Sequence, residues 1–469
     1  LREASSSGEE EVLGNLHLVF LGGKPLAVAR YNTPLEHRER ARDFRLFAEE
    51  TITLPGLTSF RLGVHLVSTR GRALPGGSRS DLFSGQPAPA EEGRVDWFQI
   101  SPRVGVALPF LADKSLTLGL SAGRYYFNLP LSYLTYGHPQ SRGALIHSWA
   151  DSNADRLFQP EEEGTLLRRE GPYFTRLSQD LKRPFTDEYS IALTKVFRSS
   201  LYLTLAGFYR ETRNLAETVN TGVPFEAYDP VQIYDPGDDT IAGTQDDLYL
   251  TVYGQKGDTL GQDLFLLTNP GGNSRVSRYR GLDLTLVKKF SRNSVLFFSA
   301  TATEAIGTTS PGNTEHENDD GVIGALYDNP NAILFAKGRL RFDRAYTARL
   351  GVSIAVPFGF RLAGLVKYYD GQPFSRKLIV TGLPQGPFFV QVFYRGQARY
   401  EFNMTVDFRL EKTVALGTAR GRVFLDGYNI FNWALATEEN EWTGPEFPLR
   451  YATEVQSPRV FRLGISYEF

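Results

Sequence analysis

Apolar and polar residues alternate one by one through much of this chain. YEFNMTVDFRLEK (400–412) sets Tyr400, Phe402, Met404, Val406, Phe408 and Leu410 against Glu401, Asn403, Thr405, Asp407, Arg409 and Glu411. A period of two belongs to a strand with one apolar and one wet face. TARLGVSIAVPF (347–358) opposes Ala348, Leu350, Val352, Ile354 and Val356 to Arg349, Gly351, Ser353 and Ala355, and SLTLGLSAG (115–123) carries Leu116, Leu118, Leu120 and Ala122 on one side. The last nine residues, FRLGISYEF, repeat the pattern with Phe461, Leu463, Ile465, Tyr467 and Phe469. Looser alternation recurs near 13–21, 42–53, 58–70, 98–109, 183–196, 200–213, 275–290, 293–304, 359–372 and 421–432. The pattern predicts about fourteen strands of roughly ten or more residues, longer than the usual soluble strand of about five or six and able to cross a bilayer when tilted.

The connections divide into two kinds that take turns. Tight links fall at 54–56, 111–114, 197–200, 291–293, 357–359 and 417–421, and long segments rich in Gly, Pro, Asp and Asn fall at 71–96, 127–182, 214–274, 305–337, 373–396 and 433–456. Compact soluble domains seldom hold a series of loops that long, whereas an outer-membrane barrel has short turns at its periplasmic end and long loops outside. The expected fold is therefore all-β: a transmembrane antiparallel β-barrel with about fourteen strands present, forming one unit over residues 1–469. Its apolar faces meet lipid, and Glu401, Asp407, Arg409 and Arg349 point inward. Aromatic clusters at strand ends (Tyr125, Tyr126 and Phe127; Tyr368 and Tyr369; Phe431 and Trp433) suit interfacial girdles. By the same parity the last strand runs down to a periplasmic rim at Phe469.

Composition sharpens this reading by exclusion. The 469 residues include 33 Phe, 23 Tyr, 4 Trp and 45 Gly, the residues that strands and turns favour. No apolar run reaches the length of a membrane helix; LGVSIAVPFGFRLAGLV (350–366) is broken by Pro357 and Arg361. A formal charge of −2 offers no footprint for nucleic acid. There is no Cys, hence no disulfide, zinc-thiolate site or thiol nucleophile. The single methionine is Met404 and LREASSSGEEE lacks a basic-then-apolar signal, so the chain is expected to be processed or a fragment.

Candidate chemistry is sparse. In DPGDDTIAGTQDD (235–247), Asp235, Asp238, Asp239, Asp246 and Asp247 place hard oxygens around two glycines, the ligand type calcium prefers, without the EF-hand spacing. The preferred reading is a solvated acidic turn and no cofactor, with Ca2+ in an external loop as the alternative. GLSAG (119–123) matches a nucleophile elbow, but Ser121 sits inside a strand, where that motif needs a strand-to-helix turn. His17, His37, His65, His138, His147 and His316 show no ligand spacing. EEE (161–163) and EHENDD (315–320) read as solvated loop, and EHRERARD (36–43) as a loop end. Nothing assembles a catalytic group, and the chain is not expected to be an enzyme.

FRLFAEETITLPGLTSFRLGVHL (44–66), ISPRVGVALPF (100–110), SAGRYYFNLPL (121–131), LKRPFTDEYSIALTK (181–195), YRGLDLTLVKKF (279–290), KYYDGQPFSR (367–376), DGYNIFNW (426–433) and SPRVFRLGISYEF (457–469) together resemble, in order, TonB-dependent outer-membrane receptors of the Oar-like subgroup. That family's barrel has 22 strands and follows a plug and TonB box, so the resemblance implies the C-terminal two thirds of such a barrel. It further implies uptake of a scarce small-molecule or peptide ligand, loops 127–182 and 214–274 as contact surfaces, and partnership with lipid, the TonB complex through the plug, and the barrel-assembly machinery. The terminal aromatic strand is similar to that machinery's recognition signal. A complete fourteen-stranded channel and a soluble β-rich adhesion or carbohydrate-binding protein stand as alternatives.

Overall fold

The computed structural model describes all residues except 1, 57, 85–92, 111–112, 114, 198–199, 271–276, 291–292, 309–322, 418, 444–450 and 469, and only the backbone of Leu416. Fourteen strands pair side by side in chain order: β1 (Arg2–Glu10), β2 (Leu35–Thr53), β3 (Ser59–Ala73), β4 (Arg94–Pro109), β5 (Leu116–Tyr126), β6 (Phe185–Phe197), β7 (Leu201–Arg213), β8 (Ser277–Lys289), β9 (Val295–Thr308), β10 (Tyr346–Val356), β11 (Phe360–Tyr369), β12 (Asn403–Leu416), β13 (Ala419–Tyr428) and β14 (Val460–Glu468). Each neighbouring pair is antiparallel. Gly77–Ser78 and Lys337–Arg339 add short extensions to β2 and β9. Among the described residues β1 and β14 are the two edges of this sheet.

The all-β class and the strand number agree with expectation, but one member differs. Leu16–Leu21 does not join the large sheet; it pairs with Lys24–Tyr31 in a separate four-stranded sheet. The first strand of the large sheet is instead REASSSGEE, and its partner is EHRERARD, which belongs to β2 rather than to a loop end. Both stretches are polar on each face, so a hydrophobic period cannot mark them. Paired backbone and ion pairs such as Arg40 Nε to Glu3 Oε1 (2.7 Å) hold the strands together, with Ala41 the one buried apolar side chain in the two stretches.

Short and long connections alternate without exception. Links 54–58, 110–115, 198–200, 290–294, 357–359 and 417–418 lie at one end of the sheet, and 11–34, 74–93, 127–184, 214–276, 309–345, 370–402 and 429–459 at the other. The Pro357–Gly359 turn shows how tight the short end is: Phe358 (φ 64°) and Gly359 (φ 75°) are both left-handed, the geometry that reverses a twisted hairpin in two residues.

Register sorts the two faces. Leu193, Leu205, Leu284 and Ala300 lie directly opposite one another across β6–β9, and the next row, on the other face, is Thr194, Thr204, Thr285 and Ser299. The apolar face is exposed along the sheet, with Ile100, Ile191, Leu282, Leu350, Leu362 and Leu463 among its uncovered side chains. The opposite face carries Asp407, Arg409 and Arg349, as expected. There Arg409 Nε and Arg462 Nη2 lie 2.5 and 2.7 Å from the two Asp426 oxygens, and Lys367 Nζ lies 2.8 Å from Asp407.

The main hydrophobic core is not in the sheet but at its long-loop end. Tyr133, Leu134, Leu177, Leu181, Ala216 and Leu267 pack on Val95 and Trp97 of β4. Trp97 is opposite Thr69, on the polar face, so the loops fold over that face and leave the apolar one bare. The approach is close: a side chain at Gly93 would meet the carbonyl oxygen of Leu134 at 1.7 Å.

Candidate functional site

The long connections build a layer of their own. One four-stranded sheet joins Leu16–Leu21, Lys24–Tyr31, Ala144–Trp149 and Glu163–Glu170, and a second joins Thr175–Leu177, Phe265–Thr268, Glu217–Asn220 and Gly324–Tyr327. Two-stranded pairings of Tyr228–Asp235 with Leu248–Gln255, Lys377–Val380 with Phe388–Gln391, Ala436–Glu439 with Ala452–Val455, and Pro373–Phe374 with Ala398–Arg399 complete it among the described residues. Such order is uncommon in connections of this length and fits a surface held in shape for recognition.

Buried charge holds the layer together. Asp235 is fully buried against Arg376, whose Nη1 donates to Oδ1 at 2.9 Å and whose Nη2 donates to Oδ2 at 2.5 Å. Nearby Lys377 Nζ lies 3.1 Å from Glu441, which also accepts from the Tyr400 hydroxyl. In the second sheet Thr218 Oγ1 donates to Asp328 at 2.5 Å, with Arg168 3.5 Å away. Burial raises the Asp328 carboxyl to about 6, against the pull of Arg168 and the Thr218 hydroxyl. Burial and neighbouring carboxylates likewise push the Tyr400 hydroxyl well above its ordinary range, desolvation being the larger cause.

The five acidic-loop residues do not converge. Asp235 is taken by Arg376, and Asp238 also pairs with that side chain at 2.9 Å. Asp246 accepts the backbone N–H groups of Asp238 (2.5 Å) and Asp239 (3.1 Å) and the Thr244 hydroxyl (2.6 Å), which hold its carboxyl at about 2. Asp247 accepts from Tyr234 (2.5 Å) and Gly243 N (2.6 Å), while Asp239 closes its own turn on Ile241 N at 2.8 Å. Asp235, Asp246 and Asp247 each accept different protein donors, and among the described residues no group of three or more His, Cys, Asp or Glu is placed to hold a metal ion. In this arrangement the loop does not fit the ion.

Other sequence candidates sort as follows. Ser121 lies in β5 with its hydroxyl 2.6 Å from that of Ser190, a strand-to-strand contact without a base. EEE (161–163) is only partly solvated: Glu161 is exposed, but Glu162 is buried, accepting from Trp149 Nε1 (3.1 Å), Ser152 N (2.9 Å) and Gln159 N (3.2 Å). EHENDD (315–320), with His316, lies outside the described residues. Phe461, Leu463, Ile465 and Tyr467 share the exposed face of β14, and Phe469 is outside the described residues.

One cavity in the loop layer, about 470 Å³, sits where connections 11–34, 74–93 and 127–184 meet. Tyr31 and Phe158 line it, with Asp81 and the Arg30–Glu163 ion pair (3.3 Å) supplying charge. His147 Nδ1 backs this pair at 2.9 Å from Glu163, and burial lowers its pKa despite that carboxylate. Aromatic walls beside a paired acid and base suit a small polar ligand held by stacking and hydrogen bonds. Larger concavities of about 680 and 710 Å³ lie along the sheet, where residues such as Gly207 and Gly63 leave gaps between bulky neighbours. Of the two loops the sequence singles out, 127–182 lines the loop cavity through Phe158, Pro160 and Glu163 and 214–274 does not; connection 11–34, whose residues 13–21 the sequence pattern reads as a spanning strand, also lines it.

No protein-family model and no curated protein matches the chain. Solved structures with a similar fold include the ferric yersiniabactin uptake receptor FyuA from Yersinia pestis (12% identity, 96% of this chain and 48% of that one, TM-score 0.47). Others are the siderophore receptor PiuA from Acinetobacter baumannii (10%, 95% and 44%, 0.47) and the ferric-catecholate import receptor Fiu from K12 E. coli (10%, 99% and 54%, 0.49). The chain spans about half the length of these proteins. At such identities and TM-scores the likeness carries no argument, and the fold stands on its strand pairing.

Proposed function

We propose that this chain is the outer-membrane wall and ligand-facing surface of a TonB-dependent receptor of the Oar-like subgroup that takes up a scarce nutrient. The observation that carries the membrane reading is the sheet's reversed polarity. Its bare face is apolar over many strands, and its polar face is the one the loops cover. Water penalises that arrangement and lipid favours it. The ordered loop layer would capture a small-molecule or peptide ligand, with the cavity at Tyr31, Phe158 and Asp81 as a contact point. A plug, the TonB complex and the barrel-assembly machinery would be partners of the whole receptor. The exposed Phe461, Leu463, Ile465 and Tyr467, with Phe469, would serve as the assembly signal.

Refolding the chain into phosphatidylcholine vesicles tests this. The expected result is flotation with the vesicles and a heat-modifiable band on gels. A monodisperse, β-rich protein in buffer without detergent would overturn the reading in favour of a soluble adhesion or carbohydrate-binding protein. Deleting Phe469 from the full-length receptor is expected to lower its membrane assembly; unchanged assembly would reduce that residue to ordinary packing.

A further inference from the structure

At the long-loop end of β2–β4 the bare face changes abruptly from apolar to basic. Reading across the three strands, Arg40, Arg72 and Arg94 stand directly opposite one another, and the next row is Arg42, Arg70 and Asp96. Below them come Phe44, Ser68 and Phe98, then Leu46, Leu66 and Ile100. Period-two alternation puts Arg38 on the same face, one row further out.

Like charges directly opposed across a sheet destabilise it, and here local compensation is thin. Glu3 serves Arg40 (2.7 Å) and Arg42 (3.5 Å), and Asp96 serves Arg94 (2.5 Å) and Arg70 (3.6 Å). Glu36 is divided between Arg38 (3.4 Å) and Arg79 (2.8 Å). Among the described residues Arg72, in the middle of the row, has no carboxylate partner. The guanidinium groups are open to the surroundings: the Arg70 and Arg94 side chains are 81% and 72% exposed. Elsewhere along this edge of the face each of the arginines has a carboxylate within reach, or the charges give way to aromatic side chains. Glu211 sits between Arg213 and Arg278, Glu304 between Arg280 and Arg339, and β10–β14 present Tyr346, Phe402 and Phe461.

We infer that the β2–β4 collar binds a phosphate-bearing lipid, its phosphates among Arg40, Arg72 and Arg94 and its acyl chains against Phe44, Leu46, Phe98 and Ile100. This rests on the membrane reading above. Arginine forks match phosphate oxygens bidentately, and an anion placed over the Arg row removes the repulsion that the described residues leave uncompensated at Arg72. The apolar rows directly below supply the surface a lipid tail requires and a soluble anion does not.

The test compares the full chain with Arg40→Gln/Arg72→Gln/Arg94→Gln, with the single Arg72→Gln, and with Arg213→Gln/Arg278→Gln/Arg280→Gln as a charge-matched control. Each is floated on phosphatidylcholine vesicles, then assayed in detergent for retained phosphatidic acid and phosphatidylcholine by native mass spectrometry. Failure of the unmodified chain to float would defeat the membrane reading itself. If it floats, the triple collar variant is expected to hold phosphatidic acid at least about tenfold more weakly. The single variant should show a smaller loss, the control no loss, and phosphatidylcholine retention should not change. Equal retention by all forms, or equal loss in the control, would overturn the proposal. So would full displacement of phosphatidic acid by glycerol 3-phosphate, which carries the phosphate without the tails. Without anionic lipid the collar variant is expected to be no less heat-stable than the unmodified chain, since it loses repulsion rather than packing.

Discussion

The spanning sheet and the loop layer solve opposite problems with the same strand-forming residues. In the sheet, backbone pairing is continuous and side chains are only half-covered; Leu205, Ile191 and Leu463 face outward with nothing upon them. In the loop layer, pairing comes in short pieces, and order depends on buried contacts such as Arg376 with Asp235 and Trp97 Nε1 with the Leu181 carbonyl at 2.7 Å. The sheet therefore draws stability from its ladder and its solvent, and the loops from side chains that must meet across long stretches of chain.

Breaking the loop side should produce the largest effect. Arg376→Leu strands the buried Asp235 carboxylate, and about 3–5 kcal/mol of local stability is expected to go. Hydrogen exchange should rise in residues 228–255 and 377–391 while β6–β8 stay protected; equal loss in the sheet would erase the contrast. The sheet's own vulnerability lies on its other face. Leu284→Arg should cost about 2–4 kcal/mol in vesicles, whereas Thr285→Arg, one residue away on the polar face, should cost under about 1 kcal/mol. Denaturant titration of the two variants in lipid tells them apart, and equal costs would remove the lipid-facing assignment.

A pH series separates the layers more finely. The Asp328 carboxyl releases its proton near 3.8 when unfolded and near 6 when folded. Between those values the folded state holds the extra proton, so this group's contribution to stability falls as pH rises through the window. Buried His147, shifted down, works the other way below its ordinary value, so the measurement is the difference between the native chain and Asp328→Asn. Relative to that variant, the native loop layer should gain about 1 kcal/mol on going from about pH 7 to about pH 5. An identical pH profile for both would refute the assignment. Smallest of all, Ser121→Ala should cost about 0.5–1 kcal/mol, the net worth of one hydrogen bond, and a larger loss of heat stability would mean that Ser121 does more than reach Ser190.

What could be read beforehand follows the same division. Alternation of Leu, Val, Ile and Phe marked the portions of strand that carry an apolar face, and the two classes of connection marked the ends. It failed at Arg2–Glu10 and the start of β2, where strand persists beyond the apolar rows and both faces are polar. Glu162 and Asp235 looked like surface acids because burial of a charge is decided by its partner. For Asp235 that partner, Arg376, is 141 residues away, a distance no local pattern spans. The cavity at Tyr31 and Phe158 was partly hidden for the same reason, since the Lys24–Tyr31 strand was not recognised as part of the loop layer.

The order of the fourteen strands also imposes an arithmetic on anything that meets the sheet's edges. β1 leads into a long connection and β14 leaves one, so the two edge strands run in opposite directions. They can zip together directly, giving a closed ring of fourteen. If hairpin-linked strands instead fill the space between them, only an even number preserves antiparallel pairing at both seams. Ring size is thus free to vary in steps of two without rewriting a single register already in place, while an odd insertion would leave one seam mismatched.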